Sequence, residues 1–313
     1  MQIHAVFFPA RLCYDRMMIP LRQETKGLLI MISSAFFFSG MNVLVKVSLR
    51  SYPFMETVFF RSFFGLIFVA ALIRSRGLPL IGPRPRLLML RGSLGFIGLS
   101  CYYYAMGHLT IADTVILNKV SPVFVMIFAY FFLGERLPPA VFIILGVALI
   151  GVYNVIQPQL EFAPMAGAVG LFSAVISGLA YVVVKKLSSD HHAPQIVLAF
   201  VGMATVLSLP FLIPVFRWPD PGDWLIFAAI GACSSIGQIL MTKAYALGAP
   251  TPVSIAGYSV VLVSALFGYL FLGEIQDTRA LIGSVIVLVS LMLLPFIRPR
   301  PLRPVDRRPM AEV

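Results

Sequence analysis

Apolar stretches of about 20 residues, the length that crosses a bilayer core as a helix, alternate with short polar joints along nearly the whole chain. They fall at 27–48, 56–73, 88–106, 112–133, 138–156, 164–186, 194–215, 223–246, 252–272 and 278–297. Most joints carry turn chemistry: Tyr52-Pro53, Gly134 to Pro139, Gln157-Pro158, Pro219 to Gly222, and Gly248 to Pro252. The pattern predicts an all-α polytopic membrane protein with ten transmembrane helices and no separate soluble domain. The second span is the least regular, with Glu56 and Arg61 near its start.

The pattern also repeats, at an offset of 139 residues. Phe132-Leu133-Gly134-Glu135 recurs as Phe271-Leu272-Gly273-Glu274, Ser34-Ala35 as Ser173-Ala174, and Val45-Lys46 as Val184-Lys185. Gly92, Gly98, Ala105 and Tyr130 meet Gly231, Gly237, Ala244 and Tyr269. The expected organisation is an N-terminal tail at 1–26, repeats at 27–156 and 164–297, and a basic tail at 298–313. Five spans per repeat is an odd number, so the two copies insert in opposite orientations. Two inverted five-helix repeats is an architecture of transporters that alternate access around a central site.

Composition supports lipid as the solvent. Hydrophobic residues make up 59% of the chain, charged residues 12%, and the mean hydropathy of +0.92 exceeds what a water-soluble fold could bury. The formal charge of +11 does not call for nucleic acid. With both termini cytoplasmic, 17 Lys and Arg fall on inner segments, Arg91 and Lys185 among them, against at most 5 on the outer side, Lys46 and Arg61 included. That bias predicts a multi-pass protein of the cell's inner membrane.

The ten-span pattern and the paired Leu-Gly-Glu ends resemble the EamA family of the drug/metabolite transporter superfamily. The match runs from about Gly27 to Phe296, and Tyr102, Ala112-Asp113, Ser121-Pro122-Val123-Phe124 and Phe132 to Arg136 are similar to the family's first-repeat signature. The resemblance implies a common fold and export of amino acids or other metabolites, without naming the cargo. The repeats differ where Pro122 meets Val261 and Arg136 meets Ile275, so the halves need not bind equivalently.

Charge within hydrocarbon costs about 2.5–3.5 kcal/mol on insertion scales and usually faces a cavity or a partner. Lys119 lies about a third of the way through the fourth span, preceded by Asn118 and followed by Ser121-Pro122. Pro122 has no N–H, so an amide, a freed carbonyl and an ammonium meet at one level. That set suits an anionic group; the alternative is a lysine that snorkels or pairs structurally. Lys46, with Asn42 one turn before it, matches Lys185 on the opposite membrane side; these are candidate gates, or simply anchors. At least one of Tyr102, Tyr103 and Tyr104 must point inward, and Tyr103 or Tyr104 is the expected cavity wall. Tyr258, the counterpart of Lys119, and Gln238 complete the candidate substrate contacts. Ala166, Gly170, Ala174 and Gly178 form a small-residue stripe for close helix packing.

Catalytic and metal motifs do not occur. H-E-x-x-H, G-x-S-x-G and the P-loop are lacking, Cys13, Cys101 and Cys233 have no ligand spacing, and His191-His192 have no further ligands. The chain is therefore expected to be neither an enzyme nor a cofactor protein. No carboxylate lies mid-span, whereas the superfamily's small multidrug members, as the resemblance implies, use one. The expected function is a secondary transporter exporting a small polar metabolite, such as an amino acid or organic anion. Two alternatives stay open: a cationic drug or metabolite exporter, and a non-transporting membrane enzyme or lipid-handling protein. Its partners are a small-molecule substrate and the bilayer, and association into homo-oligomers is left open.

Overall fold

A computed structural model describes residues 10–80, 82–133, 139–156, 163–187, 190–247 and 256–293. The Leu-Gly-Glu segment at Glu135, the side chain of Lys185 and the tail from residue 298 lie outside the described residues. Among those described, all regular structure is helical: α1 (Ala10–Ser51), α2 (Phe54–Ser75), α3 (Pro85–His108), α4 (Ile111–Asn118), α5 (Ser121–Leu133), α6 (Ala140–Ile156), α7 (Ala163–Leu187), α8 (Ala193–Leu212), α9 (Asp223–Leu247), α10 (Ser259–Leu272) and α11 (Thr278–Leu293). Five stretches are long and apolar enough to span a bilayer by themselves: Thr25–Ser51, Phe54–Ser75, Pro164–Val184, Ala193–Val215 and Asp223–Met241. α1 begins at Ala10 and runs through Pro20.

Local chemistry sets the ends. Pro53 and Pro85 open α2 and α3, where a missing N–H costs nothing. Thr110 caps α4, its hydroxyl accepting from the Asp113 N–H at 3.1 Å. Gly273, at φ 67°, closes α10 in the left-handed conformation that only glycine adopts freely.

The expected fourth and ninth spans are each interrupted. α4 stops at Asn118 and α5 starts at Ser121, so Lys119 and Val120 form a turn. At the matching place, Tyr258 is a turn residue between helical Ala256-Gly257 and α10. Pro122 accounts for the first break, since it cannot donate to the preceding turn. The second occurs with Val261 in that position, and its N–H bonds instead to the Tyr258 carbonyl at 3.0 Å.

Helix pairing follows a pseudo-two-fold. α1 packs on α9 and α3 on α7; α2 packs on α9 and α3 on α8; α1 packs on α10 and α5 on α7. Each of these couples exchanges when the halves are swapped, while α2–α8 and α6–α11 map onto themselves. The halves are antiparallel. Lys46, late in α1, bonds to the Met106 and Leu109 carbonyls at the end of α3. Asp190, past the end of α7, pairs with Arg84 at the start of α3, 2.7 Å away. The end-joint contacts come within one residue of the same offset: Glu56 accepts from the Arg217 N–H at 3.1 Å, and its counterpart Gln195 donates to the Pro79 carbonyl at 2.8 Å.

Small residues allow this intimacy. Gly170 on α7 faces Leu117 and Ala105, and a Cβ at Gly178 would stand 2.7 Å from Phe124 Cβ and 3.1 Å from the Ser121 carbonyl oxygen. The stripe expected from sequence therefore clamps α7 onto the broken helix. Gly178→Val should destabilise by about 1–3 kcal/mol through overpacking, read as a lower Tm in detergent. Gly40→Ala, with nothing within 4 Å, serves as the control, and equal losses at both positions would refute the clamp.

Candidate functional site

Between the halves lies a cavity of about 180 Å³. Its walls come from α1, α2, α3, the α4–α5 break, α7, α8, α9 and the residues flanking Tyr258. Along α3 it is lined from Arg91 to Tyr103 and along α1 from Met31 to Asn42, lengths of roughly 18 and 16 Å at helical rise.

Five of the eight sequence-predicted contact residues line it: Asn42, Tyr103, Asn118, Lys119 and Gln238. The break carries Lys119 into the cavity beside Asn118, whose Nδ2 donates to Ser173 Oγ at 3.0 Å and Ser177 Oγ at 3.4 Å. Asn42 is buried, donating to Ser264 Oγ at 3.3 Å and accepting from Tyr102 Oη at 3.3 Å. That hydrogen bond fixes Tyr102 in the wall as well.

Three predicted residues are elsewhere. Tyr258 stands at the second break, but its ring is buried in the apolar cluster with Ile111, Val115 and Val260, leaving Gly257 and Val260 to face the cavity. Tyr104 packs against Phe54 and His108, at 5.6 and 4.6 Å between ring centres. It points away because neighbours on a helix are turned by about 100°, and Tyr103 takes the inward direction.

Lys46 belongs to a lock at one end of the bundle. Its Nζ is 3.4 Å from Glu274 Oε1 and donates to the Met106 and Leu109 carbonyls. Glu274 Oε2 accepts the Ile111 N–H at 2.7 Å, and Gln276 Nε2 donates to Asp113 Oδ1 at 2.7 Å. The second repeat's Leu-Gly-Glu end thus ties α10 to α1, α3 and α4. The cavity extends the other way, toward Met31, Arg91, Tyr181 and Met241.

Two arginines that the candidate contacts do not include join the cavity. The charge count places Arg61 with the outer helix ends and Arg91 with the inner segments; they are only 4% and 8% exposed and both line the cavity. Their guanidinium carbons lie 5.4 and 4.7 Å from the centre of the same ring, Phe200, and Arg61 is also 5.9 Å from that of Tyr103. Gly95, one turn beyond Arg91, leaves room for its side chain: a Cβ there would be 2.4 Å from Arg91 Nη1. Cost alone would have drawn attention to both, as it did to Lys119.

The lining follows the repeat: Asn42 and Tyr181, Arg61 and Phe200, Tyr102 and Met241, Asn118 and Gly257 are pairs at the 139 offset. The cavity cations, Arg61, Arg91 and Lys119, all come from the first half, and no Asp or Glu is among the lining residues.

A helical membrane bundle of two inverted repeats around a polar cavity, with broken helices at matching positions, is the architecture of a transporter. The chain belongs to the EamA-like transporter family, whose model matches residues 25–157 and again 165–296. The pseudopaline exporter CntI of Pseudomonas aeruginosa is 35% identical over 86% of this chain and 95% of its own length. Human solute carrier family 35 member G1 is 27% identical, over 84% of this chain and 77% of itself. The S-adenosylmethionine uptake transporter of Rickettsia felis is 23% identical, over 76% and 82%. One solved crystal structure superposes with a TM-score of 0.62 at 20% identity, over 89% of this chain and 100% of its own, a likeness of fold.

Glu274→Ala should leave Lys46 without its charge partner; breaking a buried pair costs about 3–5 kcal/mol. A cysteine at Asn42 should then react faster with an impermeant thiol reagent applied from the Lys46 side. Unchanged labelling would show that the lock does not close that end.

Proposed function

We propose that the protein is an alternating-access secondary transporter of the inner membrane, exporting a small anionic metabolite with both termini in the cytoplasm. The observation that carries this reading is Lys119, a half-buried cation that lines the cavity between the halves at the break of a discontinuous helix. Asn118 beside it supplies an amide already oriented by Ser173 and Ser177, and α5 starts two residues on, so its positive dipole end lies close by. These are donors to an anion. The cationic-cargo alternative loses support, because a cation would enter a cavity lined by three positive groups and no carboxylate.

Direction and orientation rest on charge placement and on relatedness. The excess of Lys and Arg on one set of joints supports cytoplasmic termini, and moving Arg91 and Arg61 off the two sides leaves that excess intact. The relative at 35% identity bears the name of an exporter. The lock at Lys46–Glu274 would close the outer mouth, with the cavity reached from inside. The relatives named are transporters, which also favours carriage over chemical turnover.

The test is exchange of labelled amino and organic acids in proteoliposomes, comparing wild type with Lys119→Gln. Losing a hydrogen bond to a charged group is worth about 1.5–3 kcal/mol, so exchange at low substrate should fall by at least about tenfold. Equal exchange in a folded variant would remove Lys119 from the site.

A further inference from the structure

The cavity holds more positive charge than one carboxylate can neutralise. Nε and Nη1 of Arg61 and Nε of Arg91 are buried without a hydrogen-bond acceptor. Among the described residues, no ion pair involves Arg61, Arg91 or Lys119. Phe200 offsets part of the cost, since a desolvated cation over an aromatic face gains about 2 kcal/mol or more. Withdrawing an ion from water still costs several kcal/mol. Arg61 and Arg91 share Phe200, and only Arg61 also reaches Tyr103, which leaves buried N–H groups for an anion to satisfy.

The arginines and the lysine occupy different walls. Arg61 and Arg91 converge on Phe200 of α8, which packs on α2 and α3, whereas Lys119 projects from the turn between α4 and α5, which pack on α7 and α10. A guanidinium presents a planar fork of donors that matches a carboxylate, while an ammonium is a point charge. Tyr102, Tyr103 and Tyr181 line the same cavity, an amphipathic surface suited to a short carbon chain.

We infer that Arg61 and Arg91 form a second anion subsite, and that the cargo carries two or more separated carboxylates, one at Lys119–Asn118 and another on the arginine pair. This rests on the reading of Lys119 as the first anion contact. A monocarboxylate would leave the arginines unpaired, and a compact phosphate would reach only one set.

Thermal unfolding of the purified protein in detergent, at constant ionic strength, tests it with acetate, inorganic phosphate, succinate, glutarate and citrate as probes. The di- and tricarboxylates should raise the Tm of wild type at concentrations at least tenfold below acetate or phosphate. Arg61→Gln and Arg91→Gln should erase that preference while keeping the acetate response, and Lys119→Gln should erase it too, leaving succinate no better than acetate. Arg61→Lys and Arg91→Lys keep the charge without the fork; they should show a several-fold loss of preference and substitute for the Gln variants should those fail to fold.

Acetate or phosphate acting as strongly as succinate in wild type would overturn the second subsite, and so would a full preference retained in the arginine variants. If acetate binds wild type and fails with Lys119→Gln while succinate does no better, the anion-carrier reading stands and only the second subsite falls. A wild type that responds to no anion overturns both.

Discussion

Within hydrocarbon, every backbone amide and carbonyl needs a partner inside the protein, and every charge needs a counter-charge, water or a polar wall. The rest of this structure follows from that demand. Among the described residues the apolar spans are helical, and the breaks at Lys119-Val120 and at Tyr258 lie between the halves. α7 closes over the first with small residues that bring its backbone close to Phe124 and Ser121. Tyr258 fills the second with its own buried ring. Polar groups that would be ruinous on the outer surface become usable there.

The scaffold is symmetric and the chemistry is not. Exchanging the halves maps helix pairs onto helix pairs and cavity positions onto cavity positions. The side chains at those positions do not match. Arg61 is answered by Phe200, Asn118 by Gly257, and Lys119 by Tyr258, which turns into the core. The cations belong to one half, and the other contributes the ring they stack on. Pseudo-symmetry can serve two equivalent conformations of the scaffold because that function resides in the backbone. Recognition of an asymmetric molecule needs no such equivalence.

This division explains what could be read from the amino acids alone. The repeat, the ten spans and the depth of Lys119 are one-dimensional properties, visible as spacing and hydropathy. Pro122 signals the first break by its missing N–H, but nothing at Val261 signals the second. Arg61 and Arg91 were hidden by position: each is near enough to a span end to pass for an interfacial residue, and only packing turns them inward over Phe200. The choice among three consecutive tyrosines was equally invisible, since the rotation of α3 is set by the Tyr102–Asn42 hydrogen bond and by the packing of Phe54 against Tyr104. Lys46 was legible as a gate candidate, but its partner Glu274 is far away in sequence.

The cavity and the lock share two rigid elements. α4 ends at the turn of Lys119 and begins at Ile111, whose N–H is held by Glu274. α10 begins after Tyr258, with Val260 in the cavity wall, and ends two residues before Glu274. The two helices pack on each other, and each is short enough to shift as a unit. A displacement of Lys119 or of the Gly257–Val260 wall therefore reaches the Lys46–Glu274 pair without passing through a flexible loop. Coupling between distant places requires an element with two arrangements that both places bias. On the carrier reading the broken helices are the elements suited to that role, because a continuous span would have to move whole, against lipid, where α4 or α10 would need only to pivot at its break.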